Sequence, residues 1–169
     1  MQRILTLLVA AVIMTGCGGV EGLIEFLHEP PDVDRLPGSY VLDPRRYSHS
    51  SLKTAGYDDL SATLRLRADG TFSFARIPDC CLFGESGFFG GYFAGSGKWK
   101  VEKSSAVFVL RLSFGRLERN GSALPTKQTP GAAELNLTKG SPDYGLAAPL
   151  FDGGDFVYVY FRRMPENPP

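Results

Sequence analysis

From Leu60 to Arg67 apolar and polar residues alternate one for one. Leu60, Ala62, Leu64 and Leu66 fall on one face of an extended chain, with Ser61, Thr63, Arg65 and Arg67 on the other. That is the period of a half-buried β-strand. Asp69-Gly70 interrupts the pattern and Thr71-Phe72-Ser73-Phe74 resumes it, which predicts a hairpin over 60–75 closed by a tight primed turn. Further strands are predicted at 39–42 (SYVL), 97–102 (GKWKVE), 106–114 (AVFVLRLSF), 133–138 (AELNLT) and 156–162 (FVYVYFR). The last is apolar on both faces, as a central or doubly covered strand requires. Residues 48–57 are the one predicted helix, and a short one.

About seven or eight short strands joined by Gly/Pro turns fit an all-β antiparallel barrel, with a β-sandwich as the alternative. Closure removes the sheet edges that otherwise pair with other chains. Composition agrees, since 20 glycines and 12 prolines are scattered through 169 residues without a repeat. Lys plus Arg equals Asp plus Glu, 18 against 18. No basic field exists to hold a nucleic acid.

The N-terminus follows a different pattern. Arg3 precedes an apolar run from Ile4 to Met14 and small residues close it, which is a secretory signal layout. The run falls well short of the roughly 20 residues a membrane-spanning helix needs. Met14-Thr15-Gly16-Cys17 resembles the lipobox of bacterial lipoproteins, cleaved by signal peptidase II. The resemblance implies that Cys17 becomes the N-terminus and carries a diacylglycerol, usually with an acylated (palmitate-type) amine. The membrane is then a partner through the N-terminal lipid. Gly18, where Asp would favour inner-membrane retention, implies an outer-membrane lipoprotein facing the periplasm in a Gram-negative cell envelope. The expected division is 1–16 signal peptide, 17–35 lipidated cysteine and tether, 36–163 barrel domain and 164–169 tail. As a flexible chain the tether would span about 20 to 25 Å. Its apolar residues Leu23, Ile24, Phe26 and Leu27 are expected to pack on the domain as a short helix or arm, with contact to the bilayer as the alternative.

Gly38-Ser39-Tyr40 within LPGSYVL resembles the Gly-x-Trp of the first lipocalin strand. DGTFSF followed by GSGKWKVE is similar to the middle of small lipocalin-like lipoproteins. The resemblance covers most of 36–162 and implies a lipocalin-like barrel that binds a small apolar ligand or a protein partner.

Chemistry is sparse. The histidines are His28 and His49, and Gly84-Glu85-Ser86-Gly87 lacks the rest of a serine hydrolase apparatus. Gly95-Ser96-Gly97-Lys98 is followed by Trp99 where a P-loop needs a hydroxyl residue. The acids Asp58-Asp59 and Asp152 with Asp155 lack calcium-loop spacing. The expectation is no catalysis, no metal and no cofactor.

The region Cys80–Trp99 carries the binding candidates. Phe83, Phe88, Phe89, Tyr92 and Phe93 sit among glycines, which predicts a loop whose rings either plug one end of the barrel or form a lid or partner surface. Phe88, Phe89, Tyr92, Phe93 and Trp99 are the expected ligand or partner residues. With Cys17 lipidated, Cys80 and Cys81 have only each other as partners. A vicinal disulfide is strained, because adjacent Cα atoms lie about 3.8 Å apart against the usual minimum of about 4.4 Å. Buried structural thiols, a reducible disulfide and a soft-metal or redox site all remain open. An inhibitor or immunity-type lipoprotein is the competing class, alongside a thiol-based metal or redox sensor.

Overall fold

The computed structural model describes residues 25–43, 52–53, 56–83, 90–124, 131–140, 143–152 and 155–165, with the side chains of 150–157 excepted. The predicted helix at 48–57 lies mostly outside them. Leu52 and Lys53 are helical. No helix among the described residues is long and apolar enough to cross a membrane.

The strands are β1 Gly38–Leu42, β2 Thr63–Leu66, β3 Thr71–Pro78, β4 Tyr92–Ser104, β5 Val107–Arg119, β6 Ser122–Ala123, β7 Ala132–Thr138, β8 Gly145–Asp152 and β9 Asp155–Arg163. Each main strand pairs antiparallel with the next, and β9 returns to β1. With β4 paired to β5 and β5 to β7, eight strands form a closed up-and-down barrel, while β6 adds two residues beside the end of β5. The lipocalin-like barrel therefore holds, and the sandwich does not.

Inward positions follow the predicted alternation. Tyr40, Leu42, Leu64, Leu66, Phe72, Phe74, Leu110, Leu112, Leu135, Leu137, Leu146 and Phe161 are all buried. Their outward neighbours Ser39, Thr63 and Arg65 are exposed. Aromatic rings meet across the inside: Phe72 and Phe74 stack at 5.9 Å, and both lie edge-on to Phe114 at 6.0 and 5.9 Å. Eight strands leave an interior of about the width that side chains fill.

Two glycines make this packing possible. Gly95 and Gly97 stand opposite Phe74 and Phe72 across β3 and β4. A β-carbon on Gly97 would fall 2.0 Å from the Ser113 carbonyl, and one on Gly95 would press on the Phe74 ring. Gly95, expected in the loop, is thus a strand residue like Gly97, which the strand predicted at 97–102 already included, and the rings lie over their bare backbone.

Three details depart from expectation. The 60–75 hairpin has a longer turn than the primed one predicted: the Gly70 N–H donates to the Arg67 carbonyl at 3.1 Å, and Gly70 takes positive φ while Asp69 does not. Asp69 instead accepts from the Thr71 N–H and hydroxyl at 2.9 and 2.6 Å. Strand β8 escaped the pattern because GLAAPLFD contains neither alternation nor a tolerated strand residue at Pro149. Proline fits because β7 pairs with β8 only as far as Ala147, so its missing N–H falls where that ladder has ended. Finally, β3 carries one extra residue between Phe74 and Ile77, with Arg76 at positive φ.

Residues 25–35 are docked on the barrel. The Leu27 N–H donates to the Leu137 carbonyl at 3.0 Å and its carbonyl accepts from Phe108 at 2.9 Å, so this arm enters between β5 and β7. Phe26 packs edge-on to Tyr158 at 5.0 Å, and Leu27 is buried. Leu23 and Ile24 lie outside the described residues. A 3₁₀ turn, Val33–Arg35, follows. Arg35 and Arg163 both reach Asp143, at 3.0 and 3.3 Å, and Arg163 also donates to the Arg35 and Pro37 carbonyls. Tyr40, in the place of the lipocalin tryptophan, donates to the Leu36 carbonyl at 2.7 Å.

Candidate functional site

The barrel has two unlike ends. The N-terminal arm, the β2–β3 and β4–β5 turns and the start of β1 gather at one end, the near end. The long connections β1–β2 and β3–β4 gather at the far end, and Cys80 and Cys81 lie there.

Asp79 organises the far end. It is fully buried, so its carboxyl group requires hydrogen-bond partners. Oδ1 accepts from the Cys80 N–H at 2.9 Å and from the Tyr57 hydroxyl, and Oδ2 accepts from the Gly91 N–H at 3.3 Å. The Asp79 N–H donates to the Gly91 carbonyl at 3.0 Å. Its own carbonyl accepts from Leu82 and Phe83 at 3.0 and 3.1 Å, closing the helical turn Cys80–Phe83. One carboxyl group thus holds both Cys80 and Gly91, the latter on the other side of residues 84–89, which lie outside the described residues. The sequence reading missed it; an acid just before the cysteines, in an otherwise apolar IPDCC, was the available signal.

The helical turn closes the barrel's far end. It contacts β3, β7 and β8, over the gap where β7 and β8 part beyond Ala147. Cys80, Cys81 and Leu82 are buried there, and both thiols are free. Phe83 lies edge-on to Phe93 at 5.3 Å and to Phe114 at 6.2 Å, joining the turn to the interior rings. Of the rings expected to plug this end, Phe83 and Phe93 do so, the first carried there by the CCLF turn and the second by β4.

The two thiols differ in acidity. The Cys81 thiol donates to Cys80 and holds the Cys80 pKa below its usual value against the effect of burial. Burial pushes Cys81 far above that value. Burial, then the hydrogen bond to Asp79, drives the Tyr57 phenol far upward as well.

Tyr92 and Phe93, expected in the loop, begin β4. Phe93 points inward and is buried. Tyr92 meets Tyr57 edge-on at 5.7 Å and accepts from the Asp59 N–H at 2.8 Å. The Arg76 guanidinium lies 5.7 Å from the Tyr92 ring and is ion-paired with Asp59, so the β3 bulge turns a cation onto this cluster. Trp99 does not belong here. It sits in β4 toward the near end, its indole N–H donating to the Arg67 carbonyl at 3.0 Å. Cys17, Phe88 and Phe89 lie outside the described residues.

Asp59 is tied to Arg76 and to the Ser61 N–H, and Asp152 pairs with Asp155 across the β8–β9 turn. Among the described residues no three His, Cys, Asp or Glu side chains converge. His28 is at the near end, with Nδ1 3.0 Å from the Ala106 carbonyl. Comparison with known proteins finds no family model, no curated protein and no solved structure that matches the chain.

Proposed function

We infer that the protein is a lipid-anchored envelope lipoprotein, attached through Cys17, whose barrel is a non-catalytic module presenting the 80–90 loop to a protein partner. The observation that carries this reading is the double hold of Asp79 on Cys80 and Gly91. A loop fixed at both roots to a rigid barrel is a common arrangement for recognition. The loop contains Phe88 and Phe89, the large apolar side chains that dominate interface energies. A small apolar ligand in the barrel is the weaker alternative, since the Phe72, Phe74, Phe114, Phe83 and Phe93 rings occupy the space such a ligand would need. An inhibitor or immunity lipoprotein is one form of the surface reading. By the residue after Cys17, Gly18, the anchor would be in an outer membrane facing the periplasm.

The test is crosslinking in the native envelope followed by purification of the full chain. The reading expects one protein captured in fixed stoichiometry, lost in Phe88→Ser/Phe89→Ser while the melting temperature holds. A copurifying apolar small molecule with no protein complex would overturn it. Membrane fractionation of Cys17→Ser tests the anchor separately.

A further inference from the structure

The chain holds two Asn-x-Ser/Thr triplets, Asn120-Gly121-Ser122 and Asn136-Leu137-Thr138, neither with proline in the middle. Such a triplet is the acceptor signal for N-linked sugar on exported chains, and an exposed loop has to present it. The fold treats the two oppositely. Asn136 lies within β7, paired to Val109 on one side and to Ala147 on the other. Leu137 and Thr138 are fully buried, and Phe26 of the N-terminal arm bridges Thr138. A transferase could reach that triplet only by dismantling the sheet. Asn120 and Gly121, by contrast, are the two residues of the turn between β5 and β6, closed by the Arg119–Ser122 pair. Both take positive φ, 49° and 82°, as a two-residue primed turn requires. Asn120, Gly121 and Ser122 are all exposed. The turn also orients the acceptor amide. The Tyr92 N–H donates to Asn120 Oδ1 at 3.1 Å, and the Asn120 N–H donates to the Tyr92 carbonyl at 2.9 Å. With the oxygen taken, Nδ2 is the atom left open. Neither it nor the Ser122 hydroxyl has a hydrogen-bond partner among the described residues.

We propose that Asn120 is an N-glycosylation site, its Nδ2 accepting an oligosaccharide from a polyprenyl-pyrophosphate donor. Nδ2 attacks the anomeric carbon, and the new C–N bond forms as the C–O bond to pyrophosphate breaks. The pyrophosphate leaves with the electron pair, and the amide gives up one proton to a base of the transferase. No oxidant or reductant takes part. Because Asn120 is bonded to Tyr92 at the start of β4, the sugar stands at the rim of the far end. There it covers one flank of that end with hydrophilic bulk. The proposal rests on the reading of residues 1–16 as an export signal, since the transfer takes place on exported chains.

The full chain is purified from its native envelope, and its intact mass and the tandem mass spectra of its peptides are measured. The expected result is an excess of whole sugar residues carried by the peptide containing Asn120, with the Asn136 peptide bare. Ser122→Ala, at an exposed turn residue, should abolish the excess while the melting temperature holds. Ser122→Thr should keep it, because the hydroxyl is the part of the triplet that the transferase reads. An exported, acylated chain whose Asn120 peptide is bare would overturn the proposal. Sugar that persists in Ser122→Ala, or that sits on Asn136, would overturn it as well. A bare chain that still carries residues 1–16 would overturn it too, and would locate the failure in export.

Discussion

Asp79 and Gly91 are joined twice: the Asp79 N–H donates to the Gly91 carbonyl at 3.0 Å, and the Gly91 N–H donates back to the Asp79 carboxyl at 3.3 Å. The same carboxyl group serves Cys80 and Tyr57. Asp79→Ala would leave three donors at a buried site without their acceptor, and each such group costs about 1 to 3 kcal/mol. The expected loss is about 3 kcal/mol, or about 10 °C in melting temperature. Asp79→Asn keeps one acceptor oxygen and should cost less. Equal melting temperatures for wild type and Asp79→Ala would show that the loop's roots are held by something else.

Gly97→Ala should destabilise the barrel by about 3 kcal/mol, because the added methyl meets the Ser113 carbonyl, and backbone has to move at the β4–β5 bulge to admit it. Gly131→Ala is the control, with open space around the new methyl. It should stay within about 0.5 kcal/mol of wild type. Urea denaturation of the two variants distinguishes a packing requirement at Gly97 from a general effect of glycine replacement.

These two sites mark how far the sequence could be read. Alternation is a local signal, so Leu64/Leu66, Leu110/Leu112 and Leu135/Leu137 revealed their strands and inward faces, and strand count then pointed to a barrel. β8 stayed hidden because Pro149 is excluded from strands by a rule that depends on where the neighbouring ladder ends, and that is a tertiary fact. Gly95 read as loop, and Gly97 only as the first residue of a strand, because a glycine's reason for being in a strand is the ring across from it. Asp79 and Gly91 are twelve residues apart, and no spacing rule links a carboxyl group to a loop root at that distance. Trp99 was grouped with Phe93 by nearness in sequence, although the strand carries them to opposite ends of the barrel.

Alkaline pH should unfold the protein in part through Tyr40. Burial raises its pKa to about 12 from 10.0, against the opposing pull of Arg163. The folded state therefore keeps a proton that the unfolded state releases, so this contribution is complete below pH 10 and is lost as pH rises from 10 to 12. Tyr57 and Cys81 are raised too and act in the same sense. Cys80 is lowered and acts oppositely, its contribution being lost as pH falls. Urea midpoints at pH 8, 10 and 11.5 should fall, with about 2 kcal/mol of stability lost by pH 11.5 from Tyr40 alone, most of it above pH 10. In Tyr40→Phe the decline should be shallower. A midpoint constant through pH 11.5 would contradict the assignment.

Cys80 and Cys81 should be nearly inert in the folded protein and unequal once exposed. Both are buried beneath the loop root, so a thiol reagent reaches them only when the far end opens. In a partial opening that keeps the CCLF turn and leaves Cys81 covered, Cys80 should be labelled ahead of Cys81, because the hydrogen bond with Cys81 favours the Cys80 thiolate while burial disfavours that of Cys81. Maleimide labelling followed by peptide mass mapping tests both points. Native protein should label at least about 100-fold more slowly than protein in denaturant, and Asp79→Ala should speed native labelling by about tenfold or more by weakening the closed end. Stoichiometric native labelling within minutes would mean that the CCLF turn is open, and the two thiols would then stand as an accessible pair instead of as part of the barrel's plug.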